Sequence, residues 1–379
     1  MDKDNKLRAQ SRETGFSIQG MSSLPFDTAH TLATMPKVLL HDHLDGSLRV
    51  STLIELCRRR HIPLPSQDAT ELAAWFRRNA MAGSLERYLE GFALTVAAMG
   101  DVQALEQVAF EAAEDARAEG CVLAEFRMAP LLLQAHGVAP DDAVAAMIAG
   151  LSRSTLPCGL IVCGMRHEAP ERVAQAADLA LRHRAGPERT VGVIGFDLAG
   201  PERGWPATRH EAALRRVREA GLPLTLHAGE ADEGHRVLQA VALGARRIGH
   251  GVRLSDLLDT PEGDQAVHAL RTQHVHLEIC PTSNVQTGAA ASIAAHPIRA
   301  LWDHGVSLSF QTDNHLISCT NLNLEGQALV DEAGFSLSDL LTMQKMALDA
   351  SFMPRQVIEQ AGRRLQEWAC SQGLQPATH

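Results

Sequence analysis

The chain has no apolar run approaching the roughly 20 residues that a membrane-spanning helix needs. Its first 20 residues are polar and charged, without the apolar core of a secretory signal. Basic charge is in short supply, with 35 Lys and Arg against 45 Asp and Glu and a net charge of −10. A nucleic-acid backbone is therefore not an expected partner, because binding one takes clustered cations. Cys-x-x-Cys pairs are missing, and the seven cysteines are odd in number and scattered. That pattern argues against a disulfide framework and for reduced, buried thiols in a cytoplasmic protein. No Gly-x-Gly-x-x-Gly turn opens a helix after a first strand, so a doubly wound dinucleotide fold loses its main signature. Fixed-period repeats, low-complexity tracts and interior linkers are also lacking. The 379 residues, 45% of them hydrophobic, read as one domain over 31–379 behind a flexible tail at 1–30.

What the chain does have is eight short apolar runs, at 36–41, 121–128, 158–165, 191–198, 222–227, 246–250, 274–280 and 305–312. Several are near-continuous rather than alternating, as in Gly159-Leu160-Ile161-Val162-Cys163, which marks strands buried on both faces of a parallel sheet. Helix-like segments separate them: Ala104 to Glu119, Glu171 to Arg182, Arg209 to Ala220 and His235 to Leu243. The expected fold is α/β, a (β/α)8 TIM barrel with extra helices inserted after strand 1 and at the C-terminus. Within the insertion at 47–120, Leu85, Tyr88, Leu89 and Phe92 recur at helical spacing on one face. Ser338 to Ala350 and Pro354 to Gln372 read as the terminal helices.

Four polar clusters close apolar runs: His41-Asp42-His43-Leu44-Asp45-Gly46, His227-Ala228-Gly229-Glu230, Gly249-His250-Gly251 and Thr312-Asp313-Asn314. Side chains at the C-terminal ends of several barrel strands converge in this way on one metal ion. His41 and His43, two apart, point to the same face of a strand. Imidazoles with one carboxylate suit a divalent ion such as zinc and leave a position for water. Most of the 18 histidines are packing or surface residues, and it is position at a strand end that singles out these few.

These stretches, with Leu123 to Pro130, Gly195 to Gly200 and Cys280-Pro281-Thr282-Ser283-Asn284, resemble the adenosine deaminase family of metal-dependent amidohydrolases. Seven such motifs in the family's order, from about residue 35 to 320, cover most of the chain. The resemblance implies hydrolytic deamination of adenosine and 2′-deoxyadenosine, with purine nucleosides as small-molecule partners. Adenine or a 5′- or N6-modified adenosine is the alternative substrate, and a catalytically silent binding relative is the alternative of another class. It implies His41, His43, His227 and Asp313 as ligands of one Zn2+ per chain, an ion that supplies an acidified water. A second metal would call for a bridging lysine or glutamate after strand four, which ends Phe196-Asp197-Leu198-Ala199-Gly200 without a lysine. Glu230 resembles the acid that protonates purine N1, although a glutamate there also suits a helix N-terminus. His250 resembles the residue that orients the attacking hydroxide, or is simply a histidine in a glycine turn, and Asp313 can also accept a proton from water.

Substrate contacts follow from the same resemblance. His43 faces the ligand as well as the metal. Gly200 lets its backbone N–H approach ring N3, and Asp45 meets a ribose hydroxyl, which tilts the choice towards a nucleoside. Met165 lines the sugar side or belongs to the core. The stripe Leu85, Tyr88, Leu89 and Phe92 docks the insertion on the barrel and forms an apolar lid. Asn314 departs from the family's usual pair of aspartates, but an amide NH2 can donate to N7 without a shared proton. His315 could add a further contact. The other zinc deaminase architecture is excluded, since its Pro-Cys-x-x-Cys ligands are absent.

Overall fold

The computed structural model describes residues 28–81, 85–186 and 191–377, with residues 85–90 as backbone only. Eight strands follow one another: β1 (Lys37–His43), β2 (Cys121–Met128), β3 (Cys158–Met165), β4 (Val193–Ala199), β5 (Thr225–Ala228), β6 (Arg247–His250), β7 (His276–Ile279) and β8 (Leu308–Phe310). β1 to β4 pair in parallel in sequence order, and β5 to β8 do the same. Single bridges join the halves, Phe196 to Leu224 on one side and Asp42 to Asp313 on the other. The eight strands thus close into the (β/α)8 barrel that the alternation of runs and helices predicts.

The β8–β1 seam is partly side chain. Oε1 of Gln311 accepts the N–H of Leu40 at 2.7 Å, and His43 N–H donates to the Asp313 carbonyl at 2.8 Å. The amide of Gln311 takes a ladder position that the three-residue β8 is too short to fill, so β1 is held in register up to its histidines.

Strand starts differ from the apolar runs by two or three residues at β4, β5, β7 and β8, because apolar residues entering a barrel are buried before they pair. The interior of the barrel is ionic. Glu125 and Arg127 of β2, Asp197 of β4, Arg247 of β6 and Glu278 of β7 are all fully buried. Such groups persist inside only when paired, and these pair with one another.

The insertion after β1 forms helices at Val50–Arg59, Ala69–Ala80, Leu85–Ala98 and Val102–Ala118, the last capped by Asp101, whose side chain accepts the Ala104 N–H. Helix Leu85–Ala98 packs against the turn Leu44–Gly46 that follows β1. The side chains of Leu85, Tyr88 and Leu89 lie outside the described residues. Phe92 is half-buried against the main core, as the docking role of the stripe requires. The expected tail at 1–30 also lies outside the described residues except for its last three, which open a helix, Thr28–Thr34, anchored by buried Leu32. The terminal helices Leu337–Ala350 and Arg355–Gln372 close a second apolar cluster over Val38, Leu40, Leu123 and Ile161. Among the described residues, no helix is long and apolar enough to cross a membrane.

Candidate active site

The C-terminal ends of β1, β5, β6 and β8 bring the predicted residues together. His41, His227, His250 and Asp313 each offer a ligand atom within 4.8 Å of the others. His43 joins them, its Nε2 lying 3.2 Å from His227 Nε2 and 3.6 Å from Asp313 Oδ1. His250 and Asp313 both have positive φ, which non-glycine residues seldom adopt and which turns each side chain off its strand end. Gly249 is forced by this crowding, since a Cβ there would stand 2.9 Å from the His41 ring.

The outer nitrogens of two rings are held by carboxylates. His41 Nδ1 is 2.8 Å from Glu278 Oε2, and His227 Nδ1 is 2.9 Å from Asp197 Oδ2. Protons therefore sit on Nδ1, and the Nε2 lone pairs point inward. His41 Nε2 is buried without a hydrogen-bond partner, and Asp313 Oδ1 lies 3.3 Å from it. A lone pair facing a carboxylate is repulsive unless a cation joins them, so this donor set fits a divalent ion. The second oxygen of Asp313 accepts from the Ser283 hydroxyl at 2.6 Å.

Arg127 secures the outer layer, donating to Asp197, to Glu278 and to the Leu40 carbonyl at 2.7–2.8 Å. Burial alone would raise the Glu278 carboxyl, but Arg127 and Arg247 hold it well below the glutamate range. Sequence reasoning gave no role to Arg127, Asp197 or Glu278. Their signal was present, because a charge inside a near-continuous apolar strand has to be paired.

Five donors stand around a site that four ligands would fill, and the hydrogen bonds behind His250 decide between them. The backbone N–H of Ile298 donates to His296 Nδ1 at 3.0 Å. A backbone N–H can only donate, so His296 keeps its proton on Nε2 and donates to Asn284 Oδ1 at 3.3 Å. The Asn284 amide then donates to His250 Nδ1 at 3.0 Å. His250 is left with its proton on Nε2, which makes that atom a donor rather than a ligand. Its Nε2 is 3.5 Å from Glu230 Oε2.

This polarity is testable. Asn284→Asp replaces the donor with an acceptor and should shift the His250 proton to Nδ1. The expected result is a fall in kcat of about tenfold or more at unchanged metal content. An unchanged kcat in metal-replete Asn284→Asp would rule the relay out.

Glu230 is one-fifth exposed and accepts from the Thr287 hydroxyl at 2.9 Å. Burial holds its carboxyl above the usual glutamate range, with His250 opposing and Asp313 reinforcing. Asp45, in the turn after β1, is raised to about 7 by burial, and its Oδ1 is buried without a hydrogen-bond partner. Gly200 follows β4 beside Met165 and His167, and Met165 also packs against Ala129, Cys163 and Ala199. Asn314 is buried with its amide against Gly46, where a Cβ would come within 1.9 Å of its oxygen. His315 departs from expectation: its two ring nitrogens face Asp42 at 2.8 Å and Glu119 at 3.1 Å. That carboxylate clamp commits the ring to the protein and leaves no nitrogen for a ligand.

The adenosine deaminase family profile matches residues 36–368, nearly the whole described chain. The chain belongs to the adenosine deaminase family. An adenosine deaminase of Mycobacterium marinum is 41% identical over 349 residues, covering 88% of this chain and 94% of the relative. Among solved structures, an adenine deaminase from Arthrobacter aurescens superposes with a TM-score of 0.79 at 25% identity, covering 89% of this chain and 99% of that one. An Arabidopsis N6-mAMP deaminase gives 0.76 at 26% identity, with the same coverage. The proteins that this chain resembles thus differ in the purine they are named for.

Proposed function

We propose that this chain removes the 6-amino group of adenosine and 2′-deoxyadenosine by hydrolysis, giving inosine or 2′-deoxyinosine and ammonia. The observation that carries the reading is the convergence of His41, His43, His227 and Asp313 with the Glu230 carboxyl three residues beyond His227. Those four residues would hold a single zinc ion, which when bound supplies a water acidic enough to attack near neutral pH. Glu230 gives its proton to N1 as oxygen bonds to C6, and it recovers one from the C6 hydroxyl when the amino group leaves. The other proton of water departs with that group as ammonia. His250, a donor through Nε2, steadies the attacking oxygen. The backbone N–H of Gly200 holds N3, and Asn314 addresses N7. Met165 borders the sugar, while the helix bearing Leu85, Tyr88, Leu89 and Phe92 covers the mouth. A cytoplasmic location is supported by seven cysteines that are all free thiols.

Choice of substrate rests on Asp45. A buried carboxyl oxygen that makes no hydrogen bond, with only His43 Nδ1 at 3.9 Å, suits a ribose hydroxyl, and its loss leaves that hydroxyl unpaired. Adenosine should therefore exceed adenine in kcat/KM, and Asp45→Ala should narrow the ratio by about tenfold or more. Ammonia release from adenosine, adenine, N6-methyladenosine and 5′-substituted adenosines, ranked by kcat/KM, tests the whole reading. If adenine outranks adenosine, the nucleoside assignment falls while the chemistry stands. No ammonia from any of them would leave a binding protein.

A further inference from the structure

We propose that Glu202 is a positioning residue for Glu230, its carboxylate fixing the loop at 229–232 and so the place where the acid stands. The inference rests on the reading that Glu230 protonates the ring. Between the end of β5 at Ala228 and the helix His235–Ala242, the chain has neither ladder nor helix to satisfy its backbone. Glu202, buried in the loop after β4, does so instead. Its Oε1 accepts the N–H of Gly229 at 2.5 Å. Its Oε2 accepts those of Glu230, Ala231 and Asp232 at 3.0, 2.9 and 3.0 Å. Arg203, the next residue, donates from Nε to the Ala231 carbonyl. Two adjacent side chains therefore grip the loop by its donors and by an acceptor.

A buried carboxylate is costly unless it is compensated. Here four N–H groups and the nearby charge of buried Arg166 compensate it. Arg166 also donates to the Leu198 and His227 carbonyls, tying the ends of β4 and β5 to the same assembly.

Glu230 needs this support. Among the described residues, Thr287 alone hydrogen-bonds its side chain at short range, and a glutamate with three free torsions is aimed mainly by its backbone. Gly200 lies two residues before Glu202 on the gripping loop. Purine N1 and N3 belong to one six-membered ring, so the group at N3 and the acid at N1 have to keep a fixed separation. Glu202 is the side chain that sets it.

The test is a double-mutant cycle on the metal-replete enzyme, with Glu202→Gln, Glu230→Gln and the pair. Glutamine keeps the volume and can still accept three of the N–H groups, but it sets its NH2 against Gly229. In the parent, Glu202→Gln should lower kcat by about 30-fold and change KM by less than about threefold, since small misplacements of reacting groups cost that much. In the Glu230→Gln background the same change should cost about threefold or less, because no acid is left to misplace. Equal losses in both backgrounds would mean a merely structural role, and an unchanged kcat in Glu202→Gln would dismiss the proposal outright. If Glu230→Gln alone turns over at the parent rate, the acid assignment is overturned first and the proposal with it. Should Glu202→Gln not fold, Glu202→Asp completes the same cycle, since it keeps the charge but withdraws the carboxylate by one methylene.

Discussion

Glu230→Gln is expected to retain fold and metal and to lose about a hundredfold or more in kcat, the usual effect of removing a positioned acid. That loss corresponds to about 2.7 kcal/mol of transition-state stabilisation. Glutamine keeps the shape and can still accept from Thr287, so the loop at 229–232 has no reason to move. What disappears is an ionisable carboxyl whose pKa burial raises above the ordinary glutamate range. KM should change little, because N1 is poorly basic before oxygen adds to C6 and the transfer matters most in the transition state. Parent-like turnover in a metal-replete Glu230→Gln enzyme would show that the ring proton comes from elsewhere.

His41→Ala and Asp313→Ala should lose metal and activity together, with turnover below about a thousandth of the parent value. His41 is fully buried, and its removal takes away one of the two donors to the Glu278 oxygen, leaving Arg127. Oδ1 of Asp313 faces both His41 and His43, so its loss would remove the negative charge from the cluster and leave the imidazoles. Metal analysis of purified protein beside ammonia release reads both effects. The parent should hold one ion per chain. Two ions per active chain would overturn the single-metal assignment, and full activity in a metal-free variant would overturn the metal reading.

Most of the barrel and the inner ring of the site were legible in the sequence because both depend on short-range patterns. Near-continuous apolar runs report strands buried on two faces. The spacing of His41 and His43 reports a shared face. A polar cluster at the end of such a run reports a strand end, where a barrel keeps its chemistry. Glu230 was visible through its distance from His227 along the chain.

The supporting shell was not legible, since it is made of contacts between residues far apart in sequence. Glu278 reaches His41 across 237 residues, and Arg127 reaches both Glu278 and Asp197 from a third strand. Which inward side chains share a level in a barrel depends on strand tilt and stagger, and neither is encoded in any one segment. His315 shows the same limit: beside Asn314 in sequence it reads as a ligand contact, yet Asp42 and Glu119 claim both its nitrogens. The sequence by itself determined the eight strands and picked out, at their ends, the histidines and the aspartate that the fold brings together. Only folding decided which carboxylate orients which imidazole, which nitrogen of His250 carries the proton, and that Glu202 holds the loop at 229–232, because each is a contact between segments that come together only when the barrel closes.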